Sequence, residues 1–175
     1  LFDNHMESKQ KVLITAALPY SNLRPHVGLA AGCYLPADIY VRFRRLTGAD
    51  VRFVCGSDDY GVANMIAAER EGKTPAEISE FYWKAQQRAF ALLDIAFDVF
   101  SGTSRNEYHR ALSQKFFLSM HERGFLEKRT TKQFYDPVRE SFLADRYVKG
   151  RCGYCGAVNQ NGDQCEDLGA GDHPL

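Results

Sequence analysis

Three groups of residues in this chain have types and spacings that could do chemistry. The first is His26-Val27-Gly28, with Pro25 before it and Leu29 after it. It stands between a β-branched run, Val12-Leu13-Ile14-Thr15, and a long helical pattern. A strand, a loop and a helix start are where α/β proteins hold nucleotide phosphate, and an imidazole there can donate to a phosphate oxygen. The second group is Asp58-Asp59, directly after the apolar run Val51-Arg52-Phe53-Val54-Cys55. Carboxylates at the carboxyl edge of a parallel strand face ligands; the plainer readings are a turn former at Asp58 and a helix cap at Asp59. The third is Cys152-Gly153-Tyr154-Cys155 with Cys165. Two cysteines two residues apart can present both thiolates to one tetrahedral zinc. A complete knuckle would place a fourth ligand at position 168, which is Leu168, and His173 is the nearest alternative. Zinc on three cysteines and one further ligand, or a metal-free knuckle held by packing, both remain open. Neither the Gly-rich dinucleotide fingerprint nor the P-loop occurs.

The elements around these groups predict an α/β chain. Val12 to Ala17 has apolar residues on both faces and fits a buried parallel strand. After His26 the apolar residues recur at helical spacing. Pro36 kinks that helix or marks its true start. Arg42, Arg44 and Arg45 form a basic outer face, read as solvated, with a nucleic-acid contact as the minority reading. Thr47-Gly48 closes the helix. A second helix spans Val62 to Arg70. Thr74-Pro75-Ala76-Glu77 then supplies a cap, a first-turn proline and a capping-box glutamate. The helix behind it carries Ile78, Phe81, Ala85, Ala89 and Leu92 on one stripe. Ala96 to Phe100 reads as a third strand, and Ser104-Arg105-Asn106-Glu107 as a second capping box opening a helix that ends at Gly124. This order predicts a Rossmann-like parallel sheet with helices on both faces. Beyond a boundary near residue 124 the texture becomes β-rich. Leu126 to Tyr135 and Ser141 to Val148 read as strands around an Asp136-Pro137 turn, followed by the Gly- and Cys-rich segment.

Composition narrows the class without naming a partner. The 175 residues are 45% apolar and 25% charged, with a formal net charge of zero. No apolar run approaches the roughly 20 residues that span a bilayer. No signal-peptide pattern is present, and His5-Met6 gives residues 1–9 the look of a tag. Five cysteines, an odd number, fit a reducing, cytoplasmic compartment in which the cluster serves metal rather than disulfides. Cys33 and Cys55 read as buried thiols.

Several blocks, taken together and in order, resemble one family. They are Ala17-Leu18-Pro19-Tyr20-Ser21-Asn22, Pro25-His26-Val27-Gly28, Tyr34 through Tyr40, and Cys55-Gly56-Ser57-Asp58-Asp59-Tyr60-Gly61. They look like the N-terminal catalytic half of methionyl-tRNA synthetases. Tyr135-Asp136, Phe142 to Gly150 and Gly162-Asp163-Gln164-Cys165 resemble the family's connective insertion with its zinc knuckle. The resemblance implies residues 10–124 as the first half of a Rossmann-type catalytic domain and residues 125–175 as an incomplete connective domain. It implies ATP-dependent activation of methionine to methionyl-adenylate, with Mg2+ accompanying ATP, and transfer to tRNA(Met). No covalent enzyme intermediate is needed, so the protein works by positioning and by stabilising charge.

The resemblance also assigns roles. His26 would be the catalytic donor to the α-phosphate, and Gly28 would leave room for adenine. Leu29 stands where the family carries His or Asn as a polar ATP contact. Ala17, Leu18 and Tyr20 would line the thioether pocket, Tyr20 having core packing as its plainer reading. Asp58 would hold the methionine ammonium, and Cys152, Cys155 and Cys165 would bind zinc. The family's second ATP loop and anticodon-binding helices have no counterpart in these residues, so the 175-residue chain is not expected to complete aminoacylation alone. Two other functions compete: an adenylate-forming relative that charges no tRNA, and a degenerate synthetase-like module that binds nucleotide, RNA or protein without catalysis.

Overall fold

The computed structural model describes residues 9–162 and 164–167. The expectations placed on residues 1–8, Asp163, Leu168 and His173 lie outside them. The chain divides into two compact units, residues 1–120 and 121–175.

The first unit is built on a three-stranded parallel sheet in the order β1 (Lys11–Thr15), β2 (Asp50–Ser57), β3 (Val99–Gly102). Val12 pairs with Val51, Ile14 with Phe53, and Cys55 with Phe100. These side chains lie on one face. Tyr34, Val41, Phe90, Ile95 and Phe97 pack against that face and make the core. The core is strongly aromatic. The ring centroids of Phe53 and Phe97 are 4.4 Å apart, and Tyr34 meets Phe90 edge-on at 4.7 Å. Such pairs each contribute roughly 0.5–1.5 kcal/mol beyond the area they bury. α2 (Leu35–Leu46) and α4 (Pro75–Leu92) bring Val41 and Phe90 to this face.

The opposite face is only partly covered. α5 (Glu107–Glu122) begins there, with His109 near Val54 and Gly56. Leu13, however, is 68% exposed and Val99 52%. β1 is therefore an edge strand among the described residues, not the fully buried strand that its apolar run suggests.

The helix after His26 solves the Pro36 problem in a specific way. α1 (Val27–Leu29) runs into a π-helical turn, Ala30–Tyr34, and then into α2. The Leu35 N–H donates to the Ala30 carbonyl, five residues back. Pro36, which has no N–H, thereby falls at the start of α2, where no donor is required. The basic run on α2 is paired within its own chain. Arg42 holds the buried Asp38 at 2.5 Å, Arg45 holds Asp98 at 2.8 Å, and Arg44 reaches Gln10. Asp38 also accepts the Ala96 N–H at 3.2 Å, fastening α2 to the segment that precedes β3.

α3 (Val62–Glu71) ends at Gly72 in the left-handed conformation. α4 opens with the complete Thr74–Glu77 capping box, worth about 1 kcal/mol. Its buried stripe is Ile78, Ser79, Gln86 and Phe90. The expected stripe is therefore mis-phased: Phe81 is 44% exposed and Leu92 87%.

The second capping box does not form. The Ser104 hydroxyl and N–H both go to Asp59 Oδ2, at 2.7 and 3.1 Å, and Asn106 Oδ1 accepts the Tyr108 N–H instead. A buried carboxylate is the stronger acceptor, and it takes the serine.

In the second unit the long strands do not form. Residues 121–135 are exposed throughout. Among the described residues, pairing is confined to β4 (Tyr135–Asp136) with β5 (Ser141–Phe142), and β6 (Lys149–Gly150) with β7 (Gln160–Asn161). The alternation in residues 126–134 finds no partner strand among the described residues, and a lone strand leaves its backbone bonds to water.

Candidate functional site

The candidate residues gather at the carboxyl ends of β1 and β2. The two loops leaving these strands are joined by a parallel bridge between Tyr20 and Asp58. The Asp58 N–H donates to the Pro19 carbonyl at 2.8 Å, and the Ser21 N–H to the Asp58 carbonyl at 2.9 Å. The Asp58 carboxylate accepts the Tyr60 N–H at 3.3 Å through one oxygen and is half-buried.

An apolar cavity of about 230 Å³ lies beside this bridge. Ala17, Leu18, Tyr20, Leu29 and Tyr34 are on its wall, together with one polar residue, Gln86. Tyr20 is not core packing; it is half-exposed and lines the cavity. The Tyr34 hydroxyl donates to the Ala17 carbonyl at 3.0 Å, and burial keeps that phenol protonated by raising its pKa above the usual range. A second hollow of similar size lies across Leu18, lined by Val54, Gly56, Gly102 and His109. Gly102 is needed there, since a Cβ would stand 2.5 Å from Asp59 Oδ2 and 2.6 Å from Ser57 Oγ.

His26 is exposed and caps α1. Its Nδ1 accepts the Leu29 N–H at 3.3 Å. In the neutral ring Nε2 must then carry the proton and act as a donor. The space above Gly28 belongs to this ring, because a Cβ on Gly28 would come within 3.1 Å of His26 Cε1 and Nδ1. Gly28 thus makes room for the His26 ring. Leu29 supplies no polar side chain; it packs on the core and lines the cavity.

Asp59 is neither a ligand group nor the cap of α3, whose N-cap is Gly61. It is buried, accepts from Ser57 and Ser104, and lies 3.5 Å from Arg105. Cys33 and Cys55 are half-buried. Burial pushes the Cys55 thiol up to about 11, which leaves it unreactive at neutral pH.

The chain matches the family described as tRNA synthetases class I (M) over residues 12–174. It belongs to that family. It is 43% identical to the methionine–tRNA ligase of Rubrobacter xylanophilus over 94% of this chain and 28% of that protein. It is 47% identical to that of Chlamydia pneumoniae over 92% and 29%. Among solved structures it is similar to Mycobacterium tuberculosis methionyl-tRNA synthetase in complex with methionyl-adenylate. The TM-score there is 0.69, at 27% identity over 87% of this chain and 30% of that one. The LeuRS–tRNA–LeuAMS complex of Agrobacterium radiobacter, at 22% identity and a TM-score of 0.68, shares the fold over 89% of this chain and 20% of that one. The chain thus spans about a quarter of the length of the curated relatives it matches. The Rossmann-like sheet of this class I synthetase is the scaffold that the sequence implies. No described helix is long and apolar enough to cross a membrane.

The cysteine cluster forms within the second unit. Ligand sulfurs of Cys152, Cys155 and Cys165 all lie within 4.8 Å of one another, with Cys155 and Cys165 3.6 Å apart. Backbone N–H groups of Cys155 and Tyr154 hold the Cys152 thiol down at about 7. Three converging soft donors fit zinc.

The residues that sequence reasoning missed are polar and buried. Gln86, Ser79 and Asn64 hold the site loop from behind, and their only signal is position: Ser79 and Gln86 stand seven residues apart on one helix face.

Proposed function

We propose that this chain supplies the methionine- and ATP-binding part of a methionine–tRNA ligase, which activates methionine with ATP and transfers it to tRNA(Met). The observation that carries this reading is the Tyr20–Asp58 bridge. It joins the backbone at Asp58 to that of Tyr20, which lines an apolar cavity of amino-acid size. Ala17, Leu18 and Tyr20 line that cavity and would take the thioether, which is selected by shape and polarizable contact. Asp58 would hold the ammonium. The His26 Nε2–H would donate to the α-phosphate as charge builds there, Mg2+ arriving with ATP as part of the substrate. Leu29 adds apolar wall, so this chain offers ATP one polar contact fewer than the family pattern.

Zinc on Cys152, Cys155 and Cys165 would be structural, stapling a unit with little apolar core. Elemental analysis is expected to find about one zinc per chain, falling well below half in Cys155→Ser. A metal-free parent would leave packing alone to hold the knuckle.

Calorimetric titration with methionine and with ATP tests the whole reading. Methionine should bind this chain with measurable heat, and ATP more weakly. Binding of neither would favour the non-catalytic module.

A further inference from the structure

The loop that carries Leu18 and Tyr20 is held from below by side chains that the proposed chemistry does not use. Gln86, on α4 and 1% exposed, donates its Nε2–H to the Tyr20 carbonyl at 2.8 Å. The next residue, Ser21, is fully buried. Its hydroxyl meets Ser79 Oγ at 3.0 Å and the Asp58 carbonyl at 3.2 Å. Asn64, on α3, donates to both hydroxyls, at 3.1 Å to Ser21 and 3.2 Å to Ser79. The Ser79 hydroxyl also lies 3.2 Å from the Asp59 carbonyl. Side chains of α3 and α4 thus hold both loops of the Tyr20–Asp58 bridge, through the Tyr20 carbonyl and the Ser21 hydroxyl on one side and the Asp59 carbonyl on the other, with Gln86 itself on the cavity wall.

Polar side chains are a costly way to fill the interior. A buried hydroxyl or amide contributes little net when fully bonded and costs more when it is not. Gln86 Oε1 and Asn64 Oδ1 have no hydrogen-bond partner among the described residues. Leucine or alanine at these positions would serve packing at least as well. What apolar residues could not do is fix the backbone of residues 20, 21, 58 and 59 relative to each other, since only directional bonds set a register between two loops.

We propose that Gln86, Ser79 and Asn64 are positioning residues that set the distance between the cavity and the Asp58 carboxylate. They thereby enable the site to recognise the ammonium and the side chain of one amino acid together. This inference rests on the methionine reading above.

The test compares methionine with 4-(methylthio)butanoate, its analogue without the amine, by calorimetry on this chain. The readout is the ratio of the two dissociation constants. In the parent the ratio should favour methionine. In Gln86→Met and in Ser79→Ala it should fall about three- to tenfold, the worth of one hydrogen bond. In an Asp58→Asn background the same substitutions should leave the ratio unchanged, because the group they position is gone. Gln86→Glu, which keeps the volume but turns an acceptor toward the Tyr20 carbonyl, should give the same fall and serves if Gln86→Met does not fold. A merely structural role would lower the melting temperature and weaken both ligands equally, with the ratio intact; that outcome overturns the proposal and leaves the methionine reading standing. A parent ratio of one would instead overturn the role of Asp58, and this inference with it.

Discussion

Replacing His26 with alanine is expected to slow methionine activation about 10²–10³-fold, the usual cost of removing one preorganised donor to developing charge. ATP–pyrophosphate exchange in a ligase built around this chain measures it. The geometry separates two jobs of the imidazole. Nδ1 caps the helix, and Nε2 is left to donate outward. Asparagine is a good cap but cannot extend a donor from the Nε2 position. His26→Asn should therefore fold as well as the parent and be nearly as slow as His26→Ala. Gly28→Ala should fall between, because its methyl group would press on the ring at 3.1 Å and turn the donor away. A His26→Asn variant with the parent rate would reduce His26 to a cap and sink the catalytic assignment.

Asp58→Asn is expected to weaken methionine binding by about 10–150-fold, the worth of roughly 1.5–3 kcal/mol for a hydrogen bond to a charged group. The substitution is conservative for the fold. The bridge to Pro19 and Ser21 uses the Asp58 backbone, and among the described residues one carboxylate oxygen is engaged, by Tyr60. Asp59→Asn should behave in the opposite way. Its carboxylate gathers Ser57, Ser104 and Arg105 in the interior, so its loss should lower the melting temperature with little change in methionine affinity per folded molecule. Two adjacent aspartates would then separate into a ligand group and a structural one. Calorimetry and thermal melting on both variants decide it; equal affinity in Asp58→Asn and the parent would remove Asp58 from the site.

The strand–loop–helix around His26, the carboxylates after β2 and the cysteine spacing were legible because each is local. A β-branched run, a proline, a cap or a two-residue spacing declares itself within a few positions. The Thr74–Glu77 capping box formed for that reason. Ser104–Glu107 has the same pattern and failed, because Asp59, 45 residues earlier, competes for Ser104. Nothing in the local text reveals that competitor. The buried stripe on α4 departs from the apolar pattern for a related reason. An apolar rule follows Phe81 and Leu92, whereas the buried face carries Ser79 and Gln86 to hold a distant loop. The alternation in residues 126–134 suggested a strand, but a strand exists only with a partner, and local alternation cannot supply one. The edge position of β1 likewise depends on what lies beside it, which no property of Val12–Thr15 encodes.

The π turn at Ala30–Tyr34 matters for how this stretch can change in length. A π turn holds one residue more than the α turn it replaces, so it acts as a local slack between His26 and the anchored Tyr34. Taking out one residue here would tighten the turn to α without swinging His26 about the helix axis, whereas one residue lost inside α2 would rotate everything before it by roughly 100°. The constraint falls elsewhere: with the slack removed, Pro36 would sit more than two turns inside a continuous helix and would have to be replaced. Length at this turn and proline at this position are therefore a linked pair, and a chain can alter one only by altering the other.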